Sequence, residues 1–374
     1  MKKLFLPILL IILLTSCSAV YYGGITGTVE DAETGEGIND VMVAVYFDEG
    51  RRDSEYDAYD KNAHADFNPA GADGIAYTSA NGSYSFSKVW WETNSPEYGK
   101  DADKVDVYLL FYNENYGLTK SDSSVTLYSE STSQIKTAEL TSIVDTYTYN
   151  IDLRDDSDSS SLTDGIEFHY SYTDYRGVER SGNVSAVGTY SIPVVYYKGD
   201  CAPQITLSNF ESVNKEVNTS KESVGQFSFK DEEGTGTYIL KTEDGFDGTS
   251  QSQTDSLYFT KNWFRISISG QVLDSAKEGV DNVAVSLDVT GLTGITPSSD
   301  SPKTVYTDSE TTVGEGRRSG MFSGLGEDIV FFIDDSQPNY PIKITASDGT
   351  DLEEISDFKI NSNQSEYRVS ITLT

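Results

Sequence analysis

Apolar and polar positions alternate along most of this chain. Val41, Val43 and Val45 are each separated by one residue, as are Val105, Val107 and Leu109, and Val369, Ile371 and Leu373. The stretches Glu167–Tyr172, Gln226–Lys230 and Thr237–Leu240 show the same habit, and Gly, Asp, Asn and Ser bound such runs. A period of two sends successive side chains to opposite faces, the pattern of half-buried antiparallel strands. No long segment carries the 3.6-residue period of an amphipathic helix. The pattern predicts an all-β fold. Burying the apolar faces takes pairs of sheets packed face to face, so the expected architecture is a series of antiparallel β-sandwiches. The 374 residues allow two or three of them at about 150 residues per domain.

The first residues break the alternation. Lys2 and Lys3 precede an apolar run, Leu4 to Leu14, interrupted only by Pro7. The run is too short for a helix spanning a hydrocarbon core, which takes roughly 20 residues, and it has the shape of a secretory signal. The sequence Leu14-Thr15-Ser16-Cys17 that follows resembles the lipobox of bacterial lipoproteins. That resemblance implies a signal peptide over 1–16, cleavage before Cys17, lipidation of Cys17, and a lipidated tether over 17–24. Ser18 in place of Asp implies, by the same family's sorting rule in enterobacteria, the outer membrane. The expected location is therefore the cell envelope, periplasmic or surface-exposed, with the membrane engaged through the lipid.

Charge and composition narrow the rest. Sixty acidic against 27 basic side chains give a net charge of −33. Phosphate recognition needs clustered Lys and Arg, so no nucleic-acid partner is expected. Anionic head groups repel such a body, which leaves the acyl chains to hold it. Two histidines and two cysteines leave little for zinc, haem or iron–sulfur sites. With Cys17 lipidated no internal disulfide is possible. Cys201 then reads as a small buried residue, ahead of a reactive thiol or a link to another chain.

The two ends of the chain resemble each other. Ile25-Thr26-Gly27-Thr28-Val29-Glu30-Asp31 matches Ile268-Ser269-Gly270-Gln271-Val272-Leu273-Asp274, and Gly37 to Val45 matches Gly279 to Leu287. Tyr77-Thr78 and Asn81 to Phe86 match Tyr306-Thr307 and Ser319 to Phe322. Each copy reads as an opening strand, a tight hairpin turn from Asp to Gly, a returning Val-x-Val strand and a second turn. An alternating strand, Tyr147 to Leu153 or Tyr367 to Leu373, is expected to close each. The motifs Gly-x-Val-x-Asp (Gly27 to Asp31), Thr-Gly-x-x-Ile-x-x-Val-x-Val (Thr34 to Val43) and Thr-x-x-Asn-Gly-x-Tyr-x-Phe (Thr78 to Phe86) resemble the carboxypeptidase regulatory-like, transthyretin-like β-sandwich family. The resemblance implies a seven- or eight-stranded sandwich without peptidase activity.

The expected domains are a first such sandwich over 25–154, an acidic linker with an immunoglobulin-like β-sandwich over 155–264, and a second carboxypeptidase regulatory-like sandwich over 265–374. An acidic insert at 48–73 reads as disordered or loosely packed. The linker opens on the acidic, Ser-rich run Asp155 to Ser161.

Chemistry is sparse. His64 and His169 are the only histidines, and no nucleophile elbow, His-Glu-x-x-His or phosphate loop occurs. No catalytic residue is assigned, and His169 reads as a sheet-surface residue. Asp156, Asp158, Ser160, Asp164 and Glu167 follow EF-hand loop spacing, which makes calcium the one cofactor to test, although Ser161 stands where Gly is needed. Trp90-Trp91 are adjacent strand residues facing opposite ways, so one of them is expected on the surface as a glycan or protein contact. The function that follows is a non-enzymatic, lipid-anchored envelope protein displaying β-sandwich modules to a protein or polysaccharide ligand. The alternatives are a glycan-binding module and an envelope hydrolase with a cryptic middle-domain site.

Overall fold

The computed structural model describes residues 20–59, 66–92, 103–135, 137–231, 233–242, 251–312 and 316–374, and side chains within them except 309–318. The leader, Cys17 and His64 lie outside the described residues. The chain divides into two compact units, Met1–Asp145 and Thr146–Thr374.

The first unit contains β1 (Val20–Asp31), β2 (Met42–Tyr46), α1 (Glu49–Ala58), β3 (Gly74–Tyr77), β4 (Ser83–Glu92), β5 (Lys104–Asn113), β6 (Gly117–Lys120), β7 (Val125–Tyr128), β8 (Thr132–Gln134) and β9 (Ala138–Leu140). One sheet runs β4-β1-β8, with β9 also on β1; the other runs β3-β2-β5-β6, with β7 on β5. Their facing sides bury Ile25, Val29, Val41, Val43, Val45, Tyr84, Phe86, Val105, Val107 and Leu109 in one core, as the alternation requires. The turn after Asp31 is not a hairpin between paired neighbours. Glu30 and Gly37 form a single antiparallel bridge, after which the chain crosses to the second sheet as β2.

The insert is not loose over its first half. The Asp48 carboxylate caps α1 by accepting from the Arg51 backbone N–H at 2.6 Å. Glu55 accepts from the Tyr46 hydroxyl at 2.6 Å and from the Gly71 N–H. Arg52 is buried, donates to the Ser121 carbonyl at 3.1 Å, and lies over the Tyr108 ring. Tyr56, Tyr59, Phe67 and Ala72 pack on Ala44, Tyr46, Leu110 and Leu118, so the second sheet is covered on both faces. Composition hid this because the helix carries a narrow apolar edge and fills its remaining contacts with charge pairs.

β10 (Val144–Asp155) carries the chain into the second unit, followed by β11 (Ile166–Thr173), β12 (Glu179–Ala186), β13 (Thr189–Tyr197), β14 (Ile205–Ser212), β15 (Lys215–Val217), β16 (Ser223–Gly225), β17 (Phe227–Phe229), β18 (Thr237–Leu240) and β19 (Ser252–Lys261). Sheets β13-β10-β19-β17 and β12-β11-β14-β18 enclose a core that includes Tyr149, Ile151, Leu153, Ile166, Ile205, Leu257 and Phe259. Tyr147 to Leu153 therefore belongs to this sandwich and does not close the first one. In the first copy the parallel partners of β1 are β8 and β9, so its last strand ends at Leu140 rather than near 154. Both segments alternate; only the pairing tells them apart. Asp155 to Ser161 is a tight turn rather than a linker: Asp155 is buried, and its N–H donates to the Ser160 carbonyl at 2.9 Å.

Next come β20 (Trp263–Arg265), β21 (Ser267–Leu273), β22 (Ala284–Asp288), β23 (Ile295–Pro297), β24 (Lys303–Tyr306), β25 (Asp308–Thr312), β26 (Gly316–Leu325), β27 (Val330–Ile333), β28 (Tyr340–Ser347), β29 (Leu352–Ile360) and β30 (Glu366–Thr372). Sheets β25-β26-β21-β30, β24-β22-β28-β29 and β20-β27-β23 surround a third core.

The structure explains the repeated motifs. Asp31 Oδ1 accepts from the N–H groups of Glu33 and Thr34, and Asp274 Oδ1 from those of Ala276 and Glu278, which closes each turn. Thr78 and Thr307 are buried braces: each accepts from the N–H of Val41 or Val283 at 2.9 Å and donates to the carbonyl of Ile38 or Val280. Tyr84 and Phe322 lay their rings over Gly27 and Gly270, where a Cβ would meet ring carbons at 2.7 and 2.9 Å. The Tyr84 hydroxyl is buried without a hydrogen-bond partner, and burial pushes it well above the usual phenol range. The second copy omits that hydroxyl. Tyr84→Phe is accordingly expected to leave the first sandwich unchanged or more stable by about 1 kcal/mol, read by urea denaturation followed through tryptophan fluorescence.

Asp31 also accepts from the Tyr116 hydroxyl at 2.6 Å. This bond, with those from Thr34 and Glu33, holds the carboxyl below 3.8, while burial and Asp31 push Tyr116 up to about 12. A lowered carboxyl adds stability above its unfolded pKa, and that stability is lost as pH falls through the folded value. Tyr116→Phe is expected to be less stable than wild type at neutral pH, and the gap is expected to close below pH 3.8. Denaturation midpoints measured across acid pH check this; a pH-independent gap would contradict it.

Candidate contact surface

A bulge in β4 decides which of the adjacent tryptophans faces out. Gly23 pairs with Val89 and Ile25 with Phe86, so β4 spends one more residue than β1 over the same stretch. Tyr84, Phe86, Val89 and Trp91 consequently face the core, while Lys88 and Trp90 face out. Trp91 is 2% exposed and stacks on Tyr21 at 6.0 Å, with its indole N–H unpartnered. It is a core residue, which corrects its reading as a contact candidate.

Trp90 is 52% exposed. Its ring lies 5.0 Å from that of Tyr22 at a tilt of 52°, and the Lys88 ammonium sits 4.8 Å from the Tyr22 centroid and 5.4 Å from that of Trp90. A cation over two ring faces is attracted by their quadrupoles and keeps a positive point on a strongly acidic protein. Sequence reasoning found Trp90 and missed Tyr22 and Lys88. The bulge that turns Lys88 and Trp90 outward leaves no trace in the alternation.

A second exposed feature repeats. Tyr77 and Tyr306 end the edge strands β3 and β24 and are 59% and 68% exposed, each followed by its buried threonine. Tyr77 borders a cleft of about 630 Å³ whose lining is uncharged and rich in hydroxyls, including Thr26, Thr28, Ser79, Ser83 and Ser85.

The other candidates do not converge. Asp156 pairs with Lys230 at 2.7 Å, Asp158 accepts from the Ser160 N–H, Asp164 accepts from Asn214, and Glu167 lies in β11. No three acidic, His or Cys side chains among the described residues gather around one point, so the calcium-loop spacing does not become a calcium loop. The reason is topological: the chain turns back at Ser160 and enters a strand at Ile166. His169 lies on β11, its Nδ1 3.0 Å from the Asn183 side-chain oxygen on β12. Cys201 is a free, exposed thiol in the connection after β13, not a core residue. No described helix is long and apolar enough to cross a membrane.

No family model matches the chain, and no curated protein matches it. Among solved structures, the Bacillus anthracis TIE protein aligns over 95% of this chain at 12% identity with a TM-score of 0.26; the chain spans 51% of its length. The shaft pilin SpaA from Lactobacillus rhamnosus GG aligns over 65% of this chain and 98% of its own, at 12% identity and a TM-score of 0.33. BcpA, the major pilin subunit of Bacillus cereus, aligns over 94% of this chain and 99% of its own, at 9% identity and a TM-score of 0.23. Scores this low establish no common fold.

Proposed function

We propose that this chain is a non-enzymatic, lipid-anchored cell-envelope protein whose β-sandwiches display a protein-contact surface away from the membrane. The observation that carries the reading is the Trp90–Tyr22–Lys88 patch: an aromatic pair held outward by a bulge on a sheet whose other face is a complete core. The leader resembling a lipobox supports the anchor, and the net charge of −33 supports a body that stands off anionic lipid. Three separate cores, each closed by its own sheets, support a display role over a shared catalytic cleft. A protein partner is favoured over a glycan because the Lys88 ammonium covers the ring faces on which a sugar would stack.

Pull-down from native membranes tests the contact. A protein captured by wild type and lost with Trp90→Ala supports it; equal capture by both, or glycan-array binding that Trp90→Ala abolishes, overturns it. Intact mass of the membrane-extracted protein tests the anchor: acyl mass on Cys17 supports it, and a chain beginning at Met1 without lipid removes it.

A further inference from the structure

In each sandwich a strand near its start and a strand at or near its end lie side by side and run parallel. In the first unit β1 pairs with β8 over Gly24–Thr26 and with β9 over Val29–Asp31. In the middle sandwich β10 pairs with β19 over Thr148–Asp155 without a shift in register. In the third, β21 pairs with β30 over Ser267–Leu273, again unshifted. Parallel neighbours put their N-terminal ends side by side, so the start of the first strand and the end of the last lie at opposite ends of the pair. Tension along the chain enters the middle sandwich at the start of β10 and leaves at the end of β19, which are opposite ends of the paired stretch. The strands must then slide, and every hydrogen bond between them is loaded together. An antiparallel pair would have both ends on one side and would unzip bond by bond.

We propose that these pairs are shear clamps and that the protein bears tension along its chain. The joint within the second unit fits this role. Only Asn262 separates β19 from β20, and only Ile266 separates β20 from β21. Lys261 Nζ lies 3.1 Å from Asp155 Oδ2 at the end of β10, 3.0 Å from the Ser362 carbonyl and 3.0 Å from Asn363 Oδ1. Trp263 donates to the Val224 carbonyl at 3.1 Å and packs with Val224, Val330 and Phe332. Load leaving β19 therefore reaches β21 without slack. The clamp of the first unit is different: the offset to its partner strand grows by one residue between Thr26–Gln134 and Val29–Ala138, which divides it into two short halves. It is the weakest of the three. The proposal rests on the tethered-display reading only for the source of the tension.

Single-molecule pulling of the full chain, with Cys17→Ser and Cys201→Ser and one handle fixed at Thr374, tests it. The second handle is placed at Thr141→Cys in one protein and at Ser160→Cys in the other; both positions are exposed. From Thr141 the middle sandwich is sheared. From Ser160, just beyond the C-terminal end of β10, the same two strands are peeled, while the third sandwich is loaded identically and serves as reference. The middle event is recognised by its length, about 65 Å shorter from Ser160 because 19 residues leave the path at about 3.4 Å each. The expected result is that this event falls below about half its force from Thr141, since forced unfolding follows the barrier along the loaded path. Equal force from both handles overturns the clamp, and does so whether or not the chain is lipidated. Pulled from a handle at Val20, the first unit is expected to yield before the other two; its yielding last would overturn the divided clamp.

Discussion

Gly82→Val is expected to destabilise the first sandwich by about 3–5 kcal/mol. Gly82 has φ +75°, and a Cβ there would stand 2.2 Å from the Val29 carbonyl oxygen. That carbonyl cannot retreat, because it accepts from the Ile38 N–H at 2.9 Å while the Val29 N–H donates to the Gly82 carbonyl at 2.9 Å. Gly37 approaches the same turn from the other side, with its own Cβ position 2.2 Å from the Asn81 carbonyl oxygen. Two turns thus cross at a point where only glycines fit. The third sandwich repeats the crossing with Gly279 and Gly320, 2.0 Å from the Ser319 oxygen and 2.3 Å from the Val272 oxygen. Gly35→Ala is the control: φ is +72° but nothing lies within 4 Å, so only the left-handed penalty of about 1–2 kcal/mol remains. Urea unfolding of chains with Trp263→Phe reads the first unit through Trp90 and Trp91. Equal midpoints for Gly82→Val and Gly35→Ala would refute the crossing.

Lys261→Met should cost the second unit about 3–5 kcal/mol, because it strands a buried carboxylate. The side chains of Lys261 and Asp155 are 15% and 5% exposed and lie 3.1 Å apart. Removing the ammonium also takes a donor from the Ser362 carbonyl and from Asn363. Among the described residues the Asp155 carboxylate keeps only its bonds from Ser157. Replacing both partners, Lys261→Met with Asp155→Leu, is expected to recover most of the loss, since no charge is then left buried. Trp263, whose indole N–H is tied into the same joint, reports the transition in chains with Trp90→Phe and Trp91→Phe. A single variant within about 0.5 kcal/mol of wild type would show that the pair carries no weight.

The contact surface was only partly legible. Adjacent tryptophans on an alternating strand must diverge, so one exposed ring followed from the sequence alone. Which ring it was, and that Lys88 and Tyr22 join it, depended on a one-residue bulge opposite Gly23–Ile25. The EF-hand spacing failed for the opposite reason: positions counted along a chain gather at a metal only if the backbone curls around them, and here a tight turn and a strand disperse them.

By itself the sequence determined the class of the fold and the kinship of its two ends. A period of two selects strands through the geometry of the backbone, and the repeated Asp, Thr and Gly positions are demanded by local turns and by one crossing contact. Only the tertiary structure decided which alternating strand closes which sandwich, that the acidic insert docks as a helix, and that Cys201 is exposed. Those outcomes depend on partners distant in the chain, and an alternating strand presents the same faces to any partner that offers a matching edge.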